Sequence, residues 1–244
     1  MLETDISGLN QQFESIVEVL SLSARAADSD ESKQMLEMIQ ALRQNIQIML
    51  RLESDVRNNK DAGLSEKEIT EIADYALNLM DEIAASCGSR GMQTQMLDLH
   101  RLSLPVVAWL KQYHGTLNKL DIVVNAIASY ANTLQDSKKL EELAALIEKT
   151  VQVTDQSIKQ DLEASNPMRP WRILNLNWGI VATRSHNTEL MKYVFDRLIK
   201  NIPADAQQFF YEGVQQMDIV GYPDHVREVM QKYAADAGSN SVLH

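Results

Sequence analysis

Apolar residues recur every three to four positions through most of this chain, which is the spacing of one face of an α-helix. One such face lies between Leu9 and Leu20, a second lies between Met35 and Leu52, and similar faces follow. The period-two alternation that indicates β-strands is almost absent. The pattern therefore predicts an all-α fold of about ten antiparallel helices joined by short turns.

Short signals mark where individual helices begin and break. Ser65 and Glu68 have the spacing of a capping box, in which the hydroxyl and the carboxylate each pair with a backbone N–H at the helix start. Asp136 is placed to cap a later helix. Pro105 lies inside an apolar helical pattern, and because proline has no backbone N–H it predicts a kink or two shorter helices there.

The strongest break in the chain is the run from Ser165 to Pro170, which holds two prolines within four residues. Because a residue that precedes proline avoids the helical region, this run predicts a domain boundary. Residues 1–165 are then an acidic array of long helices, and residues 166–244 are two helical hairpins with a short flexible C-terminal tail. The spacing fits an α-solenoid of stacked hairpins, or a long-helix bundle followed by two compact hairpins.

Charge is distributed unevenly along the chain. The 244 residues contain 23 Lys and Arg against 34 Asp and Glu, a net charge of −11, whereas residues 166–244 carry eight of each sign. The acidic excess therefore belongs to residues 1–165. Because phosphate binding needs clustered Lys and Arg, we predict no nucleic-acid partner and no membrane partner. The excess fits a solvated helical exterior, or alternatively an acidic face for a basic protein.

Three observations bear on the compartment. A single cysteine, Cys87, excludes an internal disulfide and fits a reducing environment. No apolar run reaches the length of about 18 residues that a transmembrane helix needs. The N-terminal stretch is acidic and lacks the basic-then-apolar pattern of a secretory signal. Together these features predict a cytoplasmic protein.

Residues 172–239 contain two helix–turn–helix units with a repeated glycine. Gly179 and Gly213 are 34 residues apart and occupy similar places in the first and third helices of this region. When Gly179 is aligned with the glycine of a tetratricopeptide repeat, Phe195 and Pro203 fall on the aromatic and terminal proline positions of that repeat. This region therefore resembles tetratricopeptide-like (TPR-like) hairpins, in which the glycine allows two helices to pack closely.

The resemblance implies a non-catalytic scaffold or adaptor, because such repeats usually bind a polypeptide in a groove lined by their inner helices. In the first helix, Arg172, Asn175, Gly179 and Thr183 form a polar stripe on one face. We predict that Arg169, Arg172, Asn175 and Thr183 are the partner-binding residues, since arginine offers a bidentate fork to carboxylates. The alternative interpretation of this stripe is a solvated helix face.

Candidate catalytic or metal-binding chemistry is sparse. His186 with Glu189, and His225 with Glu228, are His/carboxylate pairs at helical spacing in equivalent helices. Di-iron bundles use the reverse order, Glu-x-x-His, so these four residues are weak candidate ligands, and we predict no metal and no cofactor. The chain also lacks a nucleophile elbow and a Gly-rich phosphate loop, which argues against an enzyme.

The sequence therefore predicts a non-enzymatic protein that binds a protein or peptide partner. Phe209, Phe210 and Tyr211 cover nearly the full circumference of their helix, which leaves one ring for such a partner or for a dimer. Two alternatives stay open. One is a metal-binding helical bundle or enzyme that uses the two His/Glu pairs, and the other is a homodimeric structural protein whose long N-terminal helices associate.

Overall fold

The protein is built from α-helices. The computed structural model describes residues 5–27, 29–58, 63–163 and 165–240. Over these ranges the chain forms eleven α-helices of nine residues or more and one helical segment of four, with no β-strand. The predicted all-α class is therefore confirmed. None of the described helices is long and apolar enough to cross a membrane. The predicted C-terminal tail falls on residues 241–244, which lie outside the described residues.

The chain divides into two compact units. The N-terminal unit comprises residues 2–129 and 149–155, and the C-terminal unit comprises residues 130–148 and 156–244. The sequence predicted a boundary between residues 165 and 166 instead. The proline-rich run there forms a turn between two helices, whereas the division between the units falls within two helices. Apolar spacing continues through those helices, so no change in composition marks the division.

The N-terminal unit is a bundle of long helices. Its helices are α1 (Ile6–Ala27), α2 (Asp30–Arg57), α3 (Glu66–Ser89), α4 (Gln93–Arg101), α5 (Ser103–Gln112) and most of α6 (Asp121–Thr133). Both α1 and α3 pack against α2, α4 and α5. With α4 and α5 taken as one element, four elements close a ring, as in a four-helix bundle. Of the two arrangements that the helix spacing fits, this is the long-helix bundle.

The predicted local signals explain where these helices begin. The Glu68 N–H donates to the Ser65 hydroxyl at 3.3 Å, and the Ser65 N–H donates to the Glu68 carboxylate at 2.8 Å, so the capping box is confirmed. Helix α4 ends at Arg101 and α5 begins at Ser103, which makes the two shorter helices that Pro105 predicted. Pro105 lies in the first turn of α5, where a backbone N–H has no partner within the helix.

The interior of the N-terminal unit is filled by the apolar faces that the sequence predicted. Phe13 of α1, Met35 and Ile46 of α2, Met80 of α3 and Trp109 of α5 are all buried. Each such side chain contributes about 1.5–3 kcal/mol of favourable burial relative to full exposure. The long helices are therefore held together by a continuous apolar core, and their outer faces carry most of the acidic residues.

Residues 149–155 join the N-terminal unit through the backbone. The Leu117 N–H donates to the Val153 carbonyl at 2.8 Å, and the Asp155 N–H donates to the Leu117 carbonyl at 3.0 Å. Leu117 and Thr154 form an isolated parallel bridge here. Both Leu117 and Thr154 are buried, so these hydrogen bonds satisfy backbone groups that water does not reach.

The C-terminal unit consists of two helical hairpins and part of a further helix. Its helices are most of α7 (Ser137–Val153), α8 (Gln156–Lys159), α9 (Pro170–Arg184), α10 (Thr188–Asn201), α11 (Pro203–Val220) and α12 (Asp224–Asn240). Helix α9 pairs with α10, α11 pairs with α12, and α10 also contacts α11 and α12. Pro170 and Pro203 begin α9 and α11, and Gly221 ends α11 in the left-handed region with φ 75°.

Gly179 and Gly213 each lie close to a neighbouring side chain. An ideal Cβ at Gly179 would be 2.5 Å from Phe209 Cζ and 3.0 Å from Leu198 Cδ1. An ideal Cβ at Gly213 would be 2.8 Å from the Met230 sulfur. The two sites differ in stringency, because the Phe209 ring at Gly179 is stiff whereas the end of the Met230 side chain at Gly213 can move aside.

We expect Gly179→Ala to lower the free energy of unfolding by about 1–3 kcal/mol, because overpacking against Phe209 outweighs a gain in helix propensity of about 1 kcal/mol. Gly238→Ala in α12 is the matched control, since nothing lies within 4 Å of a Cβ built there. That alanine should leave stability unchanged or raise it. Urea unfolding followed by circular dichroism measures both variants, and equal stability of Gly179→Ala and the wild type would contradict the close packing.

Candidate functional site

An open groove with an apolar floor lies between α9, α11 and α12 of the C-terminal unit. Its volume is about 310 Å³, at the lower end of the range for ligand-binding clefts. Helices α9 and α11 form its walls, and α11 supplies more than half of the lining. The lining residues are Ile180, Thr183, Phe209, Glu212, Gly213, Gln216, Met217, Val220, Tyr222 and Met230.

Helix α11 forms this wall because it carries apolar residues on two adjacent faces. Ala206, Phe210 and Met217 are buried and form the face that packs into the hairpin core. Phe209 and Val220 lie on the neighbouring face and line the groove. The absence of a side chain at residue 213 lets the Met230 side chain approach α11 and contribute to the floor. A helix with a single apolar stripe would have turned a polar face to this surface.

The rim of the groove leaves large apolar side chains in solvent. Ile180 is 43% exposed and Val220 is 63% exposed, and Ile219 beside Val220 is 78% exposed. Single exposed apolar residues are ordinary, but a cluster around a concave surface is typical of an interaction site. Met217 and Met230 in the floor are each 2% exposed, so the exposed apolar area of the groove comes mainly from Ile180, Val220 and the half-buried Phe209.

Few polar groups interrupt this surface. Glu212 is exposed, and its carboxylate accepts a hydrogen bond from the Gln208 amide at 2.6 Å. The Thr183 hydroxyl donates to the Gly179 carbonyl at 2.8 Å within α9 and so presents mainly its methyl group. Among the described residues that line the groove, none is Lys or Arg. The groove therefore carries a negative charge on one wall.

A smaller polar cavity of about 250 Å³ adjoins the groove, and the two share Val220 and Tyr222. Arg184 and His186 also line this cavity. The Arg184 guanidinium donates to carbonyl groups at the C-terminal end of α6, including that of Leu134 at 2.5 Å. The exposed His186 ring packs edge-on against Tyr222, with 5.5 Å between the ring centroids. The apolar groove is thus continuous with a cavity of the opposite charge.

The structure places the predicted partner-binding arginines in an ion-pair network. Arg169 is buried, and it donates to Asp161 at 2.5 and 2.9 Å and to Asp205 at 2.5 Å. Arg172 donates to the other Asp205 oxygen at 2.6 Å and to the Pro167 carbonyl at 3.0 Å. These contacts tie the segment before α9 to the first turn of α11. Partner binding by the two arginines stays a prediction, and their observed contacts are internal.

Asn175 and Thr183, the other two predicted partner-binding residues, are also buried. The Asn175 amide donates to the Trp171 carbonyl at 2.8 Å and accepts a hydrogen bond from the Asn201 amide at 2.8 Å, which connects α9 to the end of α10. Neither residue lies on a solvated helix face. Of the four predicted residues, the structure brings Thr183 alone to the groove lining.

The candidate metal ligands are not brought together. His186, Glu189, His225 and Glu228 are all exposed, and Glu189 pairs with Lys192 at 2.7 Å. Among the residues that the structure describes, no three His, Cys, Asp or Glu side chains form a group that could hold a metal ion. The four candidates therefore do not form a common cluster, and no residue among them is buried as a metal ligand usually is.

Two buried titratable groups lie in the N-terminal unit. Burial raises the pKa of the Cys87 thiol to about 11, against a smaller opposing effect of Arg90. Burial also lowers the pKa of His100, and the charge of Asp81 opposes that shift. Both groups are therefore favoured in their neutral forms, which fits two side chains packed within a helical bundle.

Most of the groove was not identified from the sequence. Of the three adjacent aromatic residues, Phe210 is buried in the core, Phe209 lines the groove and Tyr211 is exposed. The sequence held a further signal of the groove in Ile219 and Val220. These two apolar residues end α11 and do not lie on the helix face that contains Phe210. Apolar residues that do not fit the core face of a helix are the ones that a sequence can offer as candidate contacts.

We expect Arg169→Ala to lower the free energy of unfolding by about 3 kcal/mol or more, because it removes the guanidinium that pairs with Asp161 and one of the two that pair with Asp205. Arg172→Ala is the matched comparison, since Arg172 is more exposed and has a single ion pair in the network. Arg172→Ala should lower the free energy of unfolding by about 1 kcal/mol. Urea unfolding of both variants measures the difference, and equal small costs would show that the network does not stabilise this unit.

Asp205 should also make stability depend on pH. Burial raises the pKa of Asp205, but hydrogen bonds and charge from Arg172 and Arg169 outweigh burial and hold that pKa below its ordinary value. Because the folded state binds this proton less tightly than the unfolded state, the contribution is present above about pH 4 and is lost as pH falls through the folded-state pKa. The stability difference between the wild type and Asp205→Asn should therefore shrink from about pH 6 to about pH 3. A difference that does not change with pH would contradict this assignment.

No family model, curated protein or solved structure matches this chain. The resemblance to tetratricopeptide-like hairpins therefore rests on the residues of the C-terminal unit alone. What this protein does has to follow from its own side chains, and the apolar groove with its charged ends is the feature that offers a function.

Proposed function

We propose that this protein is a non-catalytic interaction or scaffold protein that binds a polypeptide segment in the groove between α9, α11 and α12. The observation that carries the proposal is the apolar floor of this groove together with its exposed rim residues, Ile180 and Val220. Burying such side chains in a complex is favourable by about 25 cal/mol for each Å² of apolar surface removed from water. A partner that covers the groove therefore gains a large part of its binding free energy from these residues.

A polypeptide fits this surface better than a small polar substrate. The groove is open to solvent, helices α9 and α11 form its walls, and its floor includes Phe209, Met217 and Met230. Apolar side chains of a partner can enter such a groove while its backbone and polar side chains remain in water. The aromatic and methionine side chains here belong to the types that are enriched at the centres of protein interfaces.

The proposal includes the TPR-like interpretation of the two hairpins. It is supported by Gly179 and Gly213, which occupy matching places in α9 and α11 and both lie close to a neighbouring side chain. The groove is formed mainly by α9 and α11, the first helix of each hairpin, and these correspond to the inner helices of such repeats. We further propose a cytoplasmic location, which rests on the single buried cysteine and the acidic composition.

We expect Ile180→Asp to weaken capture of the protein's partner by about tenfold or more, because a carboxylate in the apolar wall cannot be buried without a partner. Ile199→Asp is the matched control, since Ile199 is 40% exposed, compared with 43% for Ile180, and does not line the groove. The measurement is affinity capture from a lysate of the source cells, with quantitative mass spectrometry of each variant.

Circular dichroism establishes that both variants are folded. A protein that is recovered with the wild type and with Ile199→Asp, and is depleted with Ile180→Asp, supports the proposal. If the same proteins are recovered equally with all three chains, the groove is not the binding surface and the proposal fails.

A further inference from the structure

We infer that the groove takes its polypeptide in one orientation, with a basic side chain at Glu212 and an acidic side chain at Arg184. This inference rests on the proposed function and names the chemistry of the partner. The occupant to which we commit is an apolar segment that carries Lys or Arg near one end and Asp or Glu near the other. Its apolar side chains cover the floor between the two charged ends.

The acidic end is defined by Glu212. This carboxylate is the single charged group in the lining of the groove among the described residues, and it lies beside the neutral amides of Gln208 and Gln216. A cation that approaches along the apolar floor therefore meets an attractive charge with no competing cation in the wall. Removing water from the neighbouring apolar surface strengthens this attraction, because the local dielectric constant falls.

The basic end is defined by the polar cavity beyond Val220. Arg184 and His186 line it, and no Asp or Glu is present among its described lining residues. The nearby Asp218 carboxylate is paired with Arg227 at 2.5 Å. The Arg184 guanidinium is held in place by the carbonyl groups at the end of α6, so its position is fixed before any partner binds. An acidic side chain that leaves the groove at this end meets a fixed positive charge.

The distance between the two ends sets the spacing of charges in the partner. Glu212 and Val220 are eight residues apart on α11, which corresponds to about 12 Å along the helix. A helical partner would cover that distance in about eight residues, and an extended partner would cover it in about four. The opposite charges of the partner should therefore be at least about eight residues apart in a helical segment, or at least about four residues apart in an extended one, with apolar residues between them.

The test is selection of a displayed library of random peptides, each about twelve residues long, on the full-length protein. The selected peptides should combine an apolar centre with Lys or Arg on one side and Asp or Glu on the other. The most enriched peptide and a copy with each charge reversed are then synthesised for affinity measurement. We expect the original to bind the wild type about tenfold more tightly than the reversed peptide.

Two variants assign the charged ends. Glu212→Lys should weaken binding of the selected peptide about five- to tenfold, whereas Glu228→Lys, which changes an exposed glutamate outside the groove, should not. Gln135→Glu places a carboxylate beside Arg184, to which the Gln135 side chain already hydrogen-bonds at 3.4 Å, and should weaken binding by a similar factor. This variant keeps Arg184, which holds the end of α6, and so tests the basic end without removing that support.

The outcomes separate this inference from the proposed function. Apolar peptides without a charge pattern, bound equally by the wild type and Glu212→Lys, would overturn the inference and leave the groove as a binding surface. Peptides that bind Ile180→Asp and the wild type with equal affinity would overturn both the inference and the proposed function. A charge pattern that is lost in Glu212→Lys and in Gln135→Glu, and kept in Glu228→Lys, is the result that we expect.

Discussion

The ion pairs of Arg169 set the geometry on which the candidate site depends. Its guanidinium contacts Asp161 before α9 and Asp205 in the first turn of α11, and Arg172 reaches the same Asp205 from α9. The two helices that form the walls of the groove are therefore connected at one end through charged groups shielded from water. The close approach at Gly179 fixes the same pair of helices further along their length. The separation of the walls is thus determined at two points.

This rigid frame supports a surface that is unfavourable in isolation. Val220 and Ile219 are exposed to solvent, whereas other apolar residues of α11, such as Phe210, are buried in the hairpin core. Large apolar side chains are also exposed elsewhere, such as Val19 and Leu22 of α1, but Ile180 and Val220 differ from these in lining a concave surface. The two units differ in charge and in packing. The N-terminal unit is an acidic bundle of long helices, and the C-terminal unit is a pair of hairpins with an apolar groove.

The starts and breaks of individual helices could be predicted from the sequence, whereas the contacts between helices could not. The Ser65 capping box and the helix break at Pro105 depend on a few adjacent residues, so their patterns predicted them correctly. Arg172 and Asn175 were predicted to bind a partner from their place on one helix face, and periodicity gives that face but not the side chains that pack on it. Their partners, Asp205 and Asn201, lie some thirty residues away in the sequence and are identified only by the fold. The groove required the same information, since its lining residues come from three helices.

Two methionines, Met217 and Met230, form part of the groove floor. Their unbranched side chains have three rotatable bonds and a polarisable sulfur, so they can change rotamer at low energetic cost when the shape above them changes. The floor can therefore adapt to leucine, isoleucine or phenylalanine, whereas the fixed arginine at the far end cannot. On the proposed function, unrelated segments with the same order of charges would compete for this groove, and their relative abundance would decide which one occupies it.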